Sequence, residues 1–162
     1  MKLTRNQKIG GGAAVVVAMA TPVVMHFEGK RNDPYWDVVR VRTVCYGETH
    51  GVQERRYSDE ECKAMLEASL HKFHGEVSRC ITRPVELHVQ AAILSWAYNV
   101  GSGAACRSTL MRKLNAGDIA GACAELSRWV VAGGQRMAGL ERRRADERRM
   151  CEGRPPALGG KG

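Results

Sequence analysis

Residues 9–27 form an unbroken run without a single Asp, Glu, Lys or Arg, although 26% of the chain is charged. At 1.5 Å per residue, a helix of this length is about 28 Å long, which is just enough to cross the hydrocarbon core of a bilayer. Lys2, Arg5 and Lys8 precede the run without an acidic neighbour, so this flank is expected to stay in the cytoplasm while the rest of the chain crosses. About half of the run is Gly, Ala, Thr, Pro or His, and such a helix inserts but holds the membrane weakly.

This N-terminal run has three interpretations. In the first interpretation it is a cleaved signal peptide, because residues 18–20 (AMA) have the small-x-small pattern of a cleavage site. Alternatively it is a permanent anchor, or a weak anchor that later leaves the bilayer and joins the folded domain. Thr21 and Pro22 suit the start of a helix, and Gly29 suits the position after its end. Residues 21–28 are therefore either the end of a membrane helix or a soluble first helix that ends at Glu28.

Charge and cysteine content limit the class of binding partner and the redox compartment of the protein, but they do not identify the partner. The 162 residues suffice for one domain with a real core, and the net charge of +8 suits nucleic acid, anionic lipid or an anionic wall polymer. None of the cysteines form a C-x-x-C pair, so no zinc site is expected. An even number in an exported chain instead favours three disulfides over the alternative of buried free thiols, and the count leaves the pairing open. The six candidates are Cys45, Cys62, Cys80, Cys106, Cys123 and Cys151.

The remaining chain has strand character only near its beginning. Residues 38–46 (VVRVRTVCY) are β-branched and partly alternating, which predicts a small β-hairpin or sheet with Val39, Val41, Thr43 and Cys45 on one face. Beyond it, helical spacing of apolar residues dominates as far as residue 151. A small sheet followed by a mainly helical part predicts the α+β class.

Capping residues mark the predicted helix starts. Ser58 and Glu61 form a capping box, Pro84 suits the start of a helix that ends at Gly101, and Ser108 and Asp118 suit two short helices. A last helix is predicted from about residue 140 to 151, and residues 152–162 are predicted to be a flexible Gly/Pro-rich tail. The last helix carries an arginine-rich face, expected to be solvated, made of Arg142, Arg143, Arg144, Arg148 and Arg149.

Glu28, Asp37 and Thr43 are the candidate catalytic residues. They lie close together in sequence where the predicted helix gives way to the predicted sheet. Hydrolysis of a glycoside needs one protonated carboxylic acid to assist the leaving oxygen and one carboxylate to activate water or attack carbon. Paired acids are common on protein surfaces, so this chemistry alone is weak evidence.

A resemblance to a known family strengthens that interpretation. The spacing of Glu28, Asp37 and Thr43 resembles the catalytic Glu–Asp–Thr pattern of phage lysozymes of glycoside hydrolase family 24. The resemblance covers residues 21–151 and continues in ordered blocks. These are residues 34–37 (PYWD), 41–47 (VRTVCYG), 91–101 (AAILSWAYNVG), 108–110 (STL), 114–118 (LNAGD), 128–129 (RW) and 139–143 (GLERR).

The family resemblance implies a lysozyme-like fold and specific roles. Glu28 is implied to be the general acid, and Asp37 the general base that holds the attacking water with the Thr43 hydroxyl, with inversion at the anomeric carbon. Positions matching Tyr98, Asn99 and Arg128 line the family's substrate cleft. The implied substrate is peptidoglycan, cut between N-acetylmuramic acid and N-acetylglucosamine by a monomer with no cofactor, no metal and no nucleic-acid partner.

Two positions depart from the family pattern. Many relatives have Gly-His-Thr where this chain has Gly47, Glu48 and Thr49, which puts the ion pair of that histidine in doubt. Arg40 stands where glycine is frequent, so the hairpin is expected to differ there.

The uncharged N-terminal run resembles the signal-anchor-release endolysins, a subgroup of the family. By that resemblance, residues 1–27 are a releasable anchor in the host inner membrane, residues 28–151 the catalytic domain in the periplasm and residues 152–162 the tail. Some relatives cage a catalytic cysteine in a disulfide, but this chain has Asp37 at that position. We therefore expect structural disulfides and hypothesise the pairs Cys45–Cys62, Cys80–Cys106 and Cys123–Cys151.

Two alternatives come from other functional classes. The first is a non-catalytic protein that binds the cell wall or membrane on a lysozyme-like scaffold, against which the intact Glu28, Asp37 and Thr43 argue. The second is a membrane-permeabilising protein acting through residues 9–27, which leaves the long globular part without a purpose.

Overall fold

A computed structural model describes residues 5–159 of the chain, with side chains described from residue 12 onward. The mainly helical chain with two small hairpins confirms the predicted α+β class. In order, the elements are α1 (Arg5–Glu28), β1 (Arg31–Trp36), β2 (Arg42–Cys45), α2 (Asp59–Ser78), α3 (Leu87–Val100), α4 (Ser102–Cys106), α5 (Thr109–Asn115), α6 (Ile119–Glu125), a 3-10 turn (Leu126–Arg128), β3 (Val131–Ala132), β4 (Gln135–Arg136) and α7 (Ala138–Cys151).

Helix α1 is one continuous helix whose second half is built into the core. Buried residues recur at helical spacing, because each third or fourth position faces α2 and α3. They are Val16, Val17, Ala20, Thr21, Val23 and Val24. The helix ends at Glu28 before Gly29 at φ +70°, as predicted. No helix among residues 5–159 is long and apolar enough to span a membrane.

The predicted helix start at Thr21 and Pro22 is wrong. The Thr21 hydroxyl donates to the Val17 carbonyl at 2.7 Å, one turn back in the same helix, instead of capping a new one. Pro22 lies inside α1 with its side chain exposed, where its ring meets solvent rather than the core. The two residues therefore continue the helix that carries Glu28.

The first hairpin lies directly after α1. Strands β1 and β2 are antiparallel with Tyr35 opposite Thr43 and Trp36 opposite Arg42. Residues 38–41, predicted to begin the strand, form the turn instead. The Asp37 side chain accepts the backbone N–H groups of Val39 and Val41, and Arg40 takes a left-handed φ of +60°, so the β-branched run bends.

Helix α3 is the centre of the helical part. Residues 91–97 are buried throughout, and Trp96 packs edge-on against Trp129 at 5.1 Å between ring centroids. Helix α3 begins at Leu87 rather than at Pro84, because residue 86 is still extended (ψ 146°). Its end at Gly101 agrees with the prediction.

The predicted caps of the other helices are confirmed. Ser58 and Glu61 form the reciprocal capping box at the start of α2. Ser108 accepts the Met111 N–H in α5, and Asp118 accepts the Gly121 N–H in α6. Each cap satisfies a backbone donor that the first helical turn leaves unpaired.

Three disulfides connect the elements, and their pairing is the one hypothesised from the sequence. They join β2 to α2, the segment directly after α2 to α4, and α6 to α7. The pairs are Cys45–Cys62, Cys80–Cys106 and Cys123–Cys151.

The described part of the predicted flexible tail packs against the domain. The Asp146 carboxylate of α7 accepts the backbone N–H groups of Ala157 at 2.7 Å and Leu158 at 3.2 Å. His26 of α1 hydrogen-bonds the Gly159 carbonyl at 3.1 Å. Polar partners that are distant in sequence therefore order this segment, and residues 160–162 lie outside the described chain.

Candidate active site

Glu28 lies at the end of α1 and faces α7. Its side chain is one-quarter exposed, and its carboxylate accepts a hydrogen bond from Arg143 Nη1 at 2.6 Å. The Arg143 side chain is only 4% exposed, so the guanidinium approaches Glu28 from the protein interior. One face of the Glu28 carboxyl group is thus held by the protein while the other meets solvent.

A buried polar network fixes Arg143 behind Glu28. Arg143 also donates to the Glu147 carboxylate and to the Ser95 carbonyl, each at 3.1 Å, and the Ser95 hydroxyl donates to Glu147 at 2.7 Å. Arg144 lies 3.0 Å from the other oxygen of Glu147. Burial raises the pKa of the Glu147 carboxyl and lowers the pKa of Arg144, while their mutual attraction opposes both shifts.

This network corrects the prediction that the arginine-rich face of the last helix is solvated. Arg143 and Arg144 are both buried. Glu147, Ser95 and Glu28 accept the hydrogen bonds of Arg143, whereas Arg144 is neutralised by Glu147 at 3.0 Å and donates its hydrogen bond to Asn99. By contrast, Arg148 makes a half-exposed pair with Glu152 one turn further along, as a solvated face requires.

Asp37 and Thr43 lie on opposite sides of the hairpin turn and share one backbone partner. Asp37 Oδ1 accepts the Val41 N–H at 2.7 Å, and the Thr43 hydroxyl donates to the Val41 carbonyl at 3.0 Å. The peptide groups of Val41 therefore hold both side chains in place. Because the Thr43 proton is used on that carbonyl, the lone pairs of its oxygen are left to accept a hydrogen bond.

Glu48 and Tyr98 form a second, half-buried polar group near Glu28. Glu48 accepts a hydrogen bond from Ser69 at 2.6 Å, and the Tyr98 hydroxyl lies 3.5 Å from the Tyr46 carbonyl. Burial raises the pKa of Glu48, and the Glu28 carboxylate adds to that rise, while the hydrogen bond from Ser69 opposes it. Burial also raises the pKa of Tyr98, with further contributions from Glu48 and Glu28. Glu48 is thus a half-buried carboxyl group with a hydroxyl partner.

A cleft of about 520 Å³ opens beside Glu28. It lies between the end of α1, the end of α3, the second hairpin and the start of α7. Its lining residues are His26, Phe27, Glu28, Gly29, Asn99, Ala132, Met137, Gly139, Leu140, Arg142 and Arg143. Two of the residues predicted from sequence, Glu28 and Asn99, meet in this cleft.

The other predicted site residues lie outside the lining of this cleft. Asp37 and Thr43 meet at the hairpin turn, and Tyr98 packs edge-on against Phe73 at 5.2 Å between ring centroids. Arg128 is 79% exposed at its side chain and pairs with Glu125 at 3.4 Å, as a solvated residue does.

Arg143 and Glu48 are the two site residues without a predicted role. Arg143 belongs to the block at residues 139–143 that resembles the phage lysozymes, so the resemblance already pointed to its position. Glu48 lies at a position that was predicted from the sequence to depart from the family pattern. In each case the partner, Glu28 or Ser69, is remote in sequence, and local pattern contains no information about it.

Comparison with known proteins identifies the family. The phage lysozyme family matches residues 25–147. The SAR-endolysin of Bacteriophage PS119 is 40% identical over 151 residues, covering 88% of this chain and 89% of the phage protein. The SAR-endolysin of Escherichia phage Mu is 37% identical over 139 residues, covering 85% and 81%.

Solved structures show the same fold. The muramidase domain of SpmX from Asticaccaulis excentricus superposes with a TM-score of 0.76 at 26% identity, covering 82% of this chain and 93% of that domain. The active form of the P1 phage endolysin Lyz superposes with a TM-score of 0.72 at 23% identity, covering 88% and 92%. On the family match and the identity to these relatives, this chain belongs to the phage lysozyme family.

Proposed function

We propose that this protein is an endolysin that hydrolyses the β-1,4 bond between N-acetylmuramic acid and N-acetylglucosamine in bacterial peptidoglycan. The observation that carries the proposal is the Glu28 carboxyl group, held by a buried arginine at the edge of a cleft. The names of the relatives, SAR-endolysins and a muramidase domain, support the same activity.

In the proposed mechanism, Glu28 is the general acid. It transfers its proton to the glycosidic oxygen as the bond from that oxygen to the anomeric carbon breaks. Arg143 holds one carboxyl oxygen of Glu28 through the 2.6 Å hydrogen bond, which orients the other oxygen toward the cleft. The carboxylate that forms is then stabilised by the adjacent guanidinium.

Asp37 is proposed as the general base. Its Oδ1 is occupied by the backbone of Val39 and Val41, so Oδ2 is the oxygen that takes the proton from water. The Thr43 oxygen accepts the second hydrogen of that water, and the water oxygen attacks the anomeric carbon. Attack from the face opposite the leaving group inverts the configuration.

Residues 1–27 are proposed to anchor the enzyme in the host inner membrane before it acts in the periplasm as a monomer. Burial of Val16, Val17, Val23 and Val24 in the folded domain supports this, since these side chains exchange bilayer for protein core on release. Glu28 is the last residue of the same helix, so the cleft is complete only when α1 occupies its place in the domain.

Analysis of the reaction products tests the bond and the stereochemistry together. Purified protein is incubated with peptidoglycan, and the fragments are identified by mass spectrometry and by NMR of the newly formed anomeric centre. We expect reducing-end N-acetylmuramic acid, formed first as the α-anomer. Fragments with reducing-end N-acetylglucosamine would contradict the proposed bond, and initial β-anomer would contradict inversion. Intact glycan strands in the presence of folded protein would favour a wall-binding function instead.

A further inference from the structure

Asn99 is the exposed amide of the cleft, and its side chain has a fixed partner on the protein side. It lies in the last turn of α3 and lines the cleft that contains Glu28. Arg144 Nη2 donates a hydrogen bond to Asn99 Oδ1. Arg144 itself is only 1% exposed, so the contact comes from beneath the cleft floor.

The chemistry of arginine decides which way the Asn99 amide is turned. A guanidinium has N–H donors only, whereas an amide has an oxygen acceptor and an NH₂ donor. Because Arg144 lies below Asn99, the amide oxygen must point inward. The opposite orientation would place the NH₂ group of Asn99 against the N–H groups of Arg144, and neither can accept a hydrogen bond. The NH₂ group of Asn99 is therefore directed away from Arg144.

The buried network determines the position of Arg144 independently of any ligand. Its Nη1 lies 3.0 Å from Glu147, which is fully buried and also bound by Ser95 and Arg143. Moving Arg144 would leave a buried carboxylate with one cation fewer, at a high cost in stability. The orientation of the exposed amide is thus imposed from the core.

We propose that Arg144 is a positioning residue, which makes Asn99 a pure hydrogen-bond donor toward the cleft and selects a ligand oxygen that can only accept. The inference rests on the proposed function, in which the ligand is a peptidoglycan glycan strand. Two groups of that polymer supply strong acceptors with no hydrogen to donate: the acetamido carbonyl present on every sugar, and the lactyl carboxylate present on N-acetylmuramic acid alone. The ring, glycosidic and lactyl ether oxygens also only accept, but they are weaker acceptors.

The test separates binding from catalysis by using Glu28→Gln as the background. Asn99→Asp in that background keeps an oxygen for Arg144 and replaces the NH₂ donor with a second acceptor. Dissociation constants are measured by calorimetry for chitohexaose, which has acetamido groups only, and for a purified peptide-free peptidoglycan oligosaccharide, which has both groups. We expect Asn99→Asp to weaken binding about 10-fold or more, the loss of a hydrogen bond and the added repulsion of two acceptors.

Gln53→Glu is the matched control. Gln53 is also an exposed amide whose oxygen accepts from an arginine, Arg55 at 3.0 Å, but it does not line the cleft. Gln53→Glu adds the same negative charge as Asn99→Asp. The Gln53→Glu variant is expected to bind both ligands as tightly as the Glu28→Gln background does. Weakening by Asn99→Asp with both ligands assigns an acceptor that both glycans contain, of which the acetamido carbonyl is the strongest. Weakening with the peptidoglycan oligosaccharide alone assigns the lactyl group, whose strong acceptor is the carboxylate. Unchanged binding of both ligands, or equal weakening by Gln53→Glu, overturns the inference.

Variants of Arg144 test the positioning role itself. Arg144→Lys retains a donor for Asn99 and a charge for Glu147, whereas Arg144→Met removes both. We expect lysine to keep glycan binding within about 3-fold of the background, and methionine to lose it about as far as Asn99→Asp does. Thermal unfolding is recorded for each variant, and only folded protein enters the comparison. Full binding by folded Arg144→Met would refute the role.

The positioning role of Arg144 and the muramidase activity are tested by different variants. Wall clearing by Glu28→Gln would remove the proposed catalytic role of Glu28 whatever Asn99 does. Unchanged binding by Asn99→Asp would remove the role of Arg144 and leave the muramidase proposal intact.

Discussion

Arg143 connects the candidate site to the core, because it contacts both Glu28 and the buried Glu147. Arg143→Met should therefore destabilise the folded protein. The substitution keeps most of the side-chain volume and removes the hydrogen bonds to Glu28, Glu147 and Ser95. Glu147 is then left buried with Arg144 as its remaining cation. Breaking a buried pair in this way costs about 3–5 kcal/mol, a large part of the roughly 5–15 kcal/mol that stabilises a domain.

The assay is thermal and urea unfolding followed by circular dichroism. At roughly 2–4 °C per kcal/mol for a domain of this size, the expected fall in Tm is roughly 6–20 °C. Arg148→Met is the control, because Arg148 makes a half-exposed pair with Glu152 one turn further along the chain. A surface pair with this i,i+4 spacing contributes only about 0.3–0.5 kcal/mol. If Arg143→Met is no more destabilising than Arg148→Met, the buried network does not hold the site as described.

Three further predictions follow from the hairpin and the disulfides. Burial raises the pKa of Glu48, so ionisation of this carboxyl group destabilises the folded state. The difference between the Tm of Glu48→Gln and the Tm of wild type should therefore increase from pH 4 to pH 8, and a constant difference would refute this. Replacing Cys80 and Cys106 by serine removes a disulfide between residues 26 positions apart and should lower the free energy of unfolding, measured by urea titration, by about 3.5 kcal/mol. An unchanged urea midpoint would show that this disulfide contributes nothing to stability. Thr43→Val should lower kcat for wall clearing at least about 10-fold with little change in Tm, and undiminished kcat would exclude its role in holding water.

Local sequence pattern predicts those parts of the fold whose partners lie within a few residues. The capping box of Ser58 and Glu61 is confirmed because both groups satisfy each other within one helical turn. Gly29 ends α1 as predicted, since it adopts a left-handed φ that the preceding residues avoid. The placement of Glu28 at the end of a helix was therefore accessible from sequence.

Features that depend on distant partners were not accessible in this way. Residues 38–41 have the composition of a strand, but the Asp37 side chain binds their backbone and turns the chain. Arg143 has the surroundings of a solvated residue in sequence, yet its partners Ser95 and Glu28 are 48 and 115 positions away. The family resemblance indicated the position of Arg143 but not its burial.

The most direct test of the account is peptidoglycan clearing by wild type, Glu28→Gln and Glu60→Gln, with the N-terminal mass of each sample recorded. Glutamine at residue 28 keeps an oxygen acceptor for Arg143 but has no proton to transfer, and Glu60 is an exposed glutamate in the first turn of α2. We predict that wild type and Glu60→Gln clear equally, with residues 1–27 still attached, and that folded Glu28→Gln is slower by at least about 100-fold. Equal clearing by Glu28→Gln would contradict the central role of Glu28, and loss of residues 1–27 from active protein would replace anchor release with cleavage.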